Sequence, residues 1–130
     1  MSSAYGFGKQ LDGINLDQGV ERVTAALKTQ GFGVLTEIDV KATFKKKLDL
    51  DFHPYKILGA CNPKLAHQAL GIDNQVGLLL PCNVVVQAQG EGVYVSFINP
   101  MVMGQVSDNP EMAGPMSEAD QRLRAVMKAL

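Results

Sequence analysis

The chain has 130 residues, a formal charge of −1, 46% apolar and 19% charged residues, and two cysteines. That length suits one domain over residues 1–130, burying roughly two thirds of its unfolded surface without a disulfide or metal staple. The near-neutral charge offers no general attraction to nucleic acid or an anionic membrane, and no apolar run approaches the ~20 residues that cross a bilayer.

The N-terminal stretch from Met1 to Lys9 lacks the charged start and apolar core of a leader. Together with the few cysteines, this predicts a cytoplasmic protein with reduced thiols. Residues 5 to 12 alternate, with Tyr5, Phe7 and Leu11 on one side and Lys9 interrupting it, as in a half-buried strand. Asn15 and Gln18 form a capping box, and Leu16, Val20, Val23 and Leu27 make the stripe of an amphipathic helix that Gly31 stops. A second strand is predicted over Gly33 to Asp39. Asp39 then caps a short helix with Val40, Phe44 and Leu48 inward and Lys41, Lys45, Lys46 and Lys47 outward.

A third strand is expected from Tyr55 to Ala60. Asn62 and Pro63 follow as cap and first helical residue, with Gly71 ending the helix. Residues Gly77 to Ala88 are strand-like on both sides of Pro81, which predicts a bulge or an edge there. Gln89 to Gly92 is a hairpin turn into a fifth strand, Val93 to Ile98. Residues 100 to 116, with three prolines and four methionines, look like a long connection. Ser117 and Asp120 suggest a cap for a last helix striped by Ala119, Leu123, Val126, Met127 and Leu130. The order β-α-β-(α)-β-α-β-β-α predicts a two-layer α+β domain with a mixed or antiparallel sheet of about five strands.

The chemistry-bearing residues concentrate in two segments, Tyr55 to Pro63 and Val76 to Val86. Each holds one thiol beside an asparagine and a proline, so Cys61, Asn62, Cys82 and Asn83 form the candidate ligand or thiol site. Cys61 precedes a helix N-terminus, which favours a thiolate, but it lies one residue outside the cap. Free cysteine also behaves as a small buried hydrophobe. No Cys-x-x-Cys spacing is present. Cys61, Cys82, His53 and His67 are the whole soft-ligand inventory, and their spacing matches no zinc pattern. Glu37, Asp39 and Lys41 are a second tier of candidates without fixed geometry. Met101, Met103, Met112 and Met116 are equally able to line an adaptable surface or to pack. No nucleophile elbow or phosphate-cradling loop occurs, so cofactor and metal stay unassigned.

The blocks Gly31 to Lys41, Tyr55 to Pro63 and Gly77 to Val86 together resemble the domain-of-unknown-function 302 family. The resemblance covers nearly the whole chain and includes Glu37, Asp39, Lys41, Cys61, Asn62, Pro63, Pro81, Cys82 and Asn83. It implies a small cytoplasmic prokaryotic α+β domain, often dimeric, and carries no activity with it. Three functional readings stay open. The leading one is a non-catalytic small-molecule or metal-binding homodimer with its site near Cys61 and Cys82. The others are a thiol or sulfur-chemistry enzyme using one of those cysteines as nucleophile, and a structural or regulatory dimer without a ligand.

Overall fold

The computed structural model describes residues 4–130, so Met1 to Ser3 of the stretch considered for a leader lie outside the described residues. Its strands are β1 (Gly6–Asp12), β2 (Gly33–Asp39), β3 (Tyr55–Cys61), β4 (Cys82–Gln89) and β5 (Gly92–Ile98). Its helices are α1 (Leu16–Lys28), α2 (Val40–Leu48), α3 (Pro63–Ile72), α4 (Pro100–Val106) and α5 (Ala113–Ala129), with short 3₁₀ turns at Asn74–Leu79 and Pro110–Met112. The strands form one sheet in the order β1-β5-β4-β3-β2, and every pairing is antiparallel. The α+β class therefore stands, with no parallel pair in the sheet.

Local signals act as expected at three helix starts. Asn15 and Gln18 bond reciprocally across the first turn of α1 (2.9 Å each way). Asp39 accepts from the Ala42 amide at 2.9 Å to begin α2. Asn62 accepts from the Leu65 amide at 3.3 Å, with Pro63 first in α3. Beyond α1 the Phe32 N–H returns to the Leu27 carbonyl and Gly31 takes φ +81°, a conformation cheap only for glycine.

Five expectations are corrected. The long connection expected over residues 100 to 116 instead holds helix α4, which Asn99 starts by accepting from the Met101 amide at 3.0 Å, and the beginning of α5. The residues from Gly77 to Leu80 are not strand. Asp73 accepts from the Gln75 amide at 3.0 Å and starts a 3₁₀ turn, so β4 begins only at Cys82. Pro81, after a cis peptide bond, lies just outside the ladder, which frees β4 to be a central strand. The bulge lies instead in edge strand β2, between Val34 and Thr36. Helix α5 starts before Ser117. Its first turn continues from the Pro110–Met112 turn, so no side-chain cap is made, and Pro115 sits where a missing N–H costs nothing. Leu48 does not pack inward but is 60% exposed.

The core lies between the sheet and helices α1, α3, α4 and α5, around Leu27, Leu58, Val84, Val86, Val93, Val95, Phe97, Met112 and Leu123. Met103 and Met116 are buried there as well, so these methionines pack rather than line a surface. Lys9 interrupts the β1 stripe because its ammonium group reaches the main-chain oxygen of Leu130. No helix among the described residues is long and apolar enough to cross a membrane.

Candidate functional site

Strand alternation sends Val84, Val86, Val93, Val95 and Phe97 toward the helices. The residues between them face the other way. Three cross-strand rows form that open face: Ile38–Ile57–Val85–Ser96–Gly8, Tyr55–Gln87–Tyr94–Gln10, and Thr36–Gly59–Asn83 continued by Ile98–Gly6. The helices that bury side chains in the core lie on the opposite face, and α2, which buries none, meets this side only near Tyr55 through Phe44 and Phe52.

Register also sets the cysteines. Ala60 pairs with Cys82, and Cys61 follows Ala60, so both thiols border one small cavity with Phe32, Leu65, Leu80 and Met116. Both are free thiols, Cys82 buried and Cys61 half-buried. The cavity measures about 30 Å³, room for a single water. Burial, and secondarily the nearby Cys61 sulfur, push the Cys82 thiol up to about 11. Cys82 is thus a neutral thiol at physiological pH, the opposite of an activated nucleophile. Asn62 is spent on structure. Besides capping α3, its Nδ2 donates to the Gln30 carbonyl at 3.2 Å, where Arg122 also donates at 3.2 Å.

The other candidates scatter. Asn83 points away from the thiols onto the open face, paired with Gly59. Glu37 and Asp39 lie toward the far end of the sheet. Glu37 accepts from the Lys56 ammonium at 2.7 Å, which raises the lysine above its usual value. Lys41 is exposed on α2. His53 precedes Tyr55 and the thiols border the other end of β3, about 20 Å away by strand rise. His67 is exposed on α3. The Cys₂His₂ set is therefore dispersed, and no group of three or more His, Cys, Asp or Glu able to hold a metal ion occurs among the described residues.

The larger cavity, about 400 Å³, lies on the open face. All three tyrosines of the chain, Tyr5, Tyr55 and Tyr94, border it. Val85 and Ile98 add apolar surface, and Asn83, Gln87 and Ser96 are the polar side chains. The Tyr94 ring lies over Gly8, where a β-carbon would come within 2.6 Å of its hydroxyl oxygen. An aromatic group adjoins Tyr55, with Phe52 at 6.0 Å and His53 at 5.8 Å. Phe52 stands edge-on to Phe44 (5.1 Å) and lies 4.4 Å from His53, whose Nε2 is 3.0 Å from Gln87 Oε1. Of the residues singled out from the sequence, only Asn83 belongs to this cavity. The available signal was the alternate register of β4 and β5, where Asn83, Val85 and Gln87, and then Tyr94, Ser96 and Ile98, mark a second face too polar for a core and too apolar for plain solvent.

The architecture is that of a small α+β domain with one covered and one open sheet face. The chain belongs to the family described as "Domain of unknown function DUF302", which it matches over residues 7–130. It is similar, at 26% identity and a TM-score of 0.88 over 98% of each chain, to the crystal structure of an uncharacterized conserved DUF302 protein from Bacillus stearothermophilus. No curated protein matches it.

Proposed function

We propose that this chain is a non-catalytic, small-molecule-binding domain whose ligand lies on the open sheet face rather than beside the cysteines. The observation that carries this is the cavity of about 400 Å³, bordered by three tyrosines with Asn83, Gln87 and Ser96 as polar anchors. Its size, apolar lining and few convergent polar groups are those of ordinary ligand sites. The space beside Cys61 and Cys82 is more than tenfold smaller, about 30 Å³. A protein-observed NMR screen of small neutral, anionic and cationic compounds tests the reading. Binders should shift the amides of Val85, Gln87 and Ser96 and lose affinity in Val85→Trp, which fills the cavity floor. Binders that shift only residues around Cys61 and Cys82 overturn it.

A second reading concerns assembly, and we propose a homodimer formed through β2 and α2. Its support is that Leu35, Ile38, Leu48 and Leu50 are all at least half exposed, while α2 buries no side chain. Monomers seldom leave such a group of large apolar side chains in water. The β2 bulge disfavours strand-to-strand extension of the sheet, so contact would run through side chains. Sedimentation should give a dimer for the native chain and a monomer for the double variant Leu35→Glu, Ile38→Glu. A native monomer at high concentration overturns this part alone.

A further inference from the structure

The open-face cavity has chemistry narrow enough to name a ligand class, an inference that rests on the binding reading above. We infer that the ligand is a neutral, planar, fused-ring compound whose hydrogen-bond acceptor meets the side-chain amide of Gln87.

Charge restricts the class first. Among the described residues, no Asp, Glu, Lys or Arg borders the cavity. An ion entering it would give up hydration without gaining an opposite charge, which disfavours it against a neutral ligand. A neutral ligand meets no such penalty.

Shape comes next. Gln87 pairs directly with Tyr55 on one neighbouring strand and Tyr94 on the other, so its amide stands between two aromatic residues in a single cross-strand row. The adjoining row puts Val85 and Ser96, both small, on the cavity floor, and the Tyr94 ring lies across Gly8 beside them. Aromatic side chains flanking a low floor favour ring systems that lie flat and stack, over branched or flexible chains.

Hydrogen bonding then fixes polarity. The Oε1 of Gln87 lies 3.0 Å from His53 Nε2, and because an amide oxygen only accepts, this pairing assigns the ring proton to Nε2. His53 is held in turn by Phe52 (4.4 Å) and Tyr55 (5.8 Å). With its oxygen engaged, Gln87 offers its NH₂ group to the cavity, and a donor there calls for a carbonyl or ring nitrogen on the ligand. His53 is a positioning residue: it sets which end of the amide the ligand meets.

The test is an NMR titration of the isotope-labelled full chain with four probes, coumarin, naphthalene, naphthoate and decanol. Coumarin should bind most tightly and shift the amides of Val85, Gln87 and Ser96. Gln87→Leu should lower the preference for coumarin over naphthalene by roughly two- to tenfold, the worth of one hydrogen bond. His53→Ala should lower the same ratio while leaving naphthalene binding unchanged, which a merely structural role would not do. Tighter binding of naphthoate or decanol at those amides overturns the ligand class while leaving the open-face site standing, as does an unchanged ratio in Gln87→Leu. If no probe shifts these amides, the class and the binding reading fall together.

Discussion

The side-chain amide of Asn62 donates to the main-chain carbonyl of Gln30 at 3.2 Å while its oxygen caps α3. One buried side chain thus ties the start of α3 to the end of α1. Arg122 of α5 reaches the same carbonyl, so three helices meet at Gln30. The asparagine beside Cys61 is accounted for by this junction.

Asn62→Ala should therefore destabilise the fold by about 1–2 kcal/mol, the worth of a helix cap with its second hydrogen bond. Asn62→Asp keeps the cap but places an acceptor against the Gln30 oxygen, so it should fall between wild type and Asn62→Ala. Urea midpoints of the three proteins check the order. An Asn62→Ala midpoint equal to wild type would mean that Arg122 alone satisfies Gln30.

Stability should fall at high pH because of Cys82. Its folded pKa of about 11 lies above the reference value of 9.0. The folded state keeps the proton after the unfolded chain has lost it, so this contribution is complete below about pH 9 and disappears as pH rises toward about 11. The full span corresponds to roughly 3 kcal/mol at most. Urea titrations between these limits should show the slope in wild type and lose it in Cys82→Ala. In the native protein Cys82 should also alkylate far more slowly than an exposed thiol.

Gly19 tests how closely α1 packs. A β-carbon there would lie 2.9 Å from Val93 Cγ2 and 3.1 Å from Val86 Cγ1. Gly→Ala within a helix ordinarily gains about 1 kcal/mol, whereas overpacking a core costs about 1–3 kcal/mol. Both valines are fully buried and stiff at χ1, so the clash should win. Gly19→Ala is expected to lower the melting temperature, and a rise would mean that α1 can lift off the sheet at little cost.

Much of the helix layout was legible because its signals are local. The Asn15–Gln18 box, the Asn62–Pro63 start and the Gly31 stop act within a turn or two of their own residues. The failures have separate causes. Residues Gly77 to Leu80 have strand composition, but Asp73 accepts from the Gln75 and Val76 amides and starts a 3₁₀ turn that runs through them, closed by the Leu80 N–H on the Gly77 carbonyl. Ser117 has a cap's spacing, but Pro115 and Met116 are buried, and packing carries α5 past it. At Asp73 a competing turn outweighed strand propensity, and at Ser117 burial of the preceding residues outweighed a cap.

The sequence by itself determined the five strands, helices α1, α2, α3 and most of α5, the α+β class and the apolar stripes, because these follow from side-chain period and short-range hydrogen bonding. Only the tertiary structure decided which strands are neighbours and which face the helices cover. Pairing β1 with β5 brings Tyr94 over Gly8, and pairing β4 with both β3 and β5 stands Gln87 between Tyr55 and Tyr94. Those partners are separated by up to 86 residues in the chain, from Gly8 to Tyr94. A cross-strand row is a product of register, and register is set by the packing of the whole sheet rather than by any one of its strands.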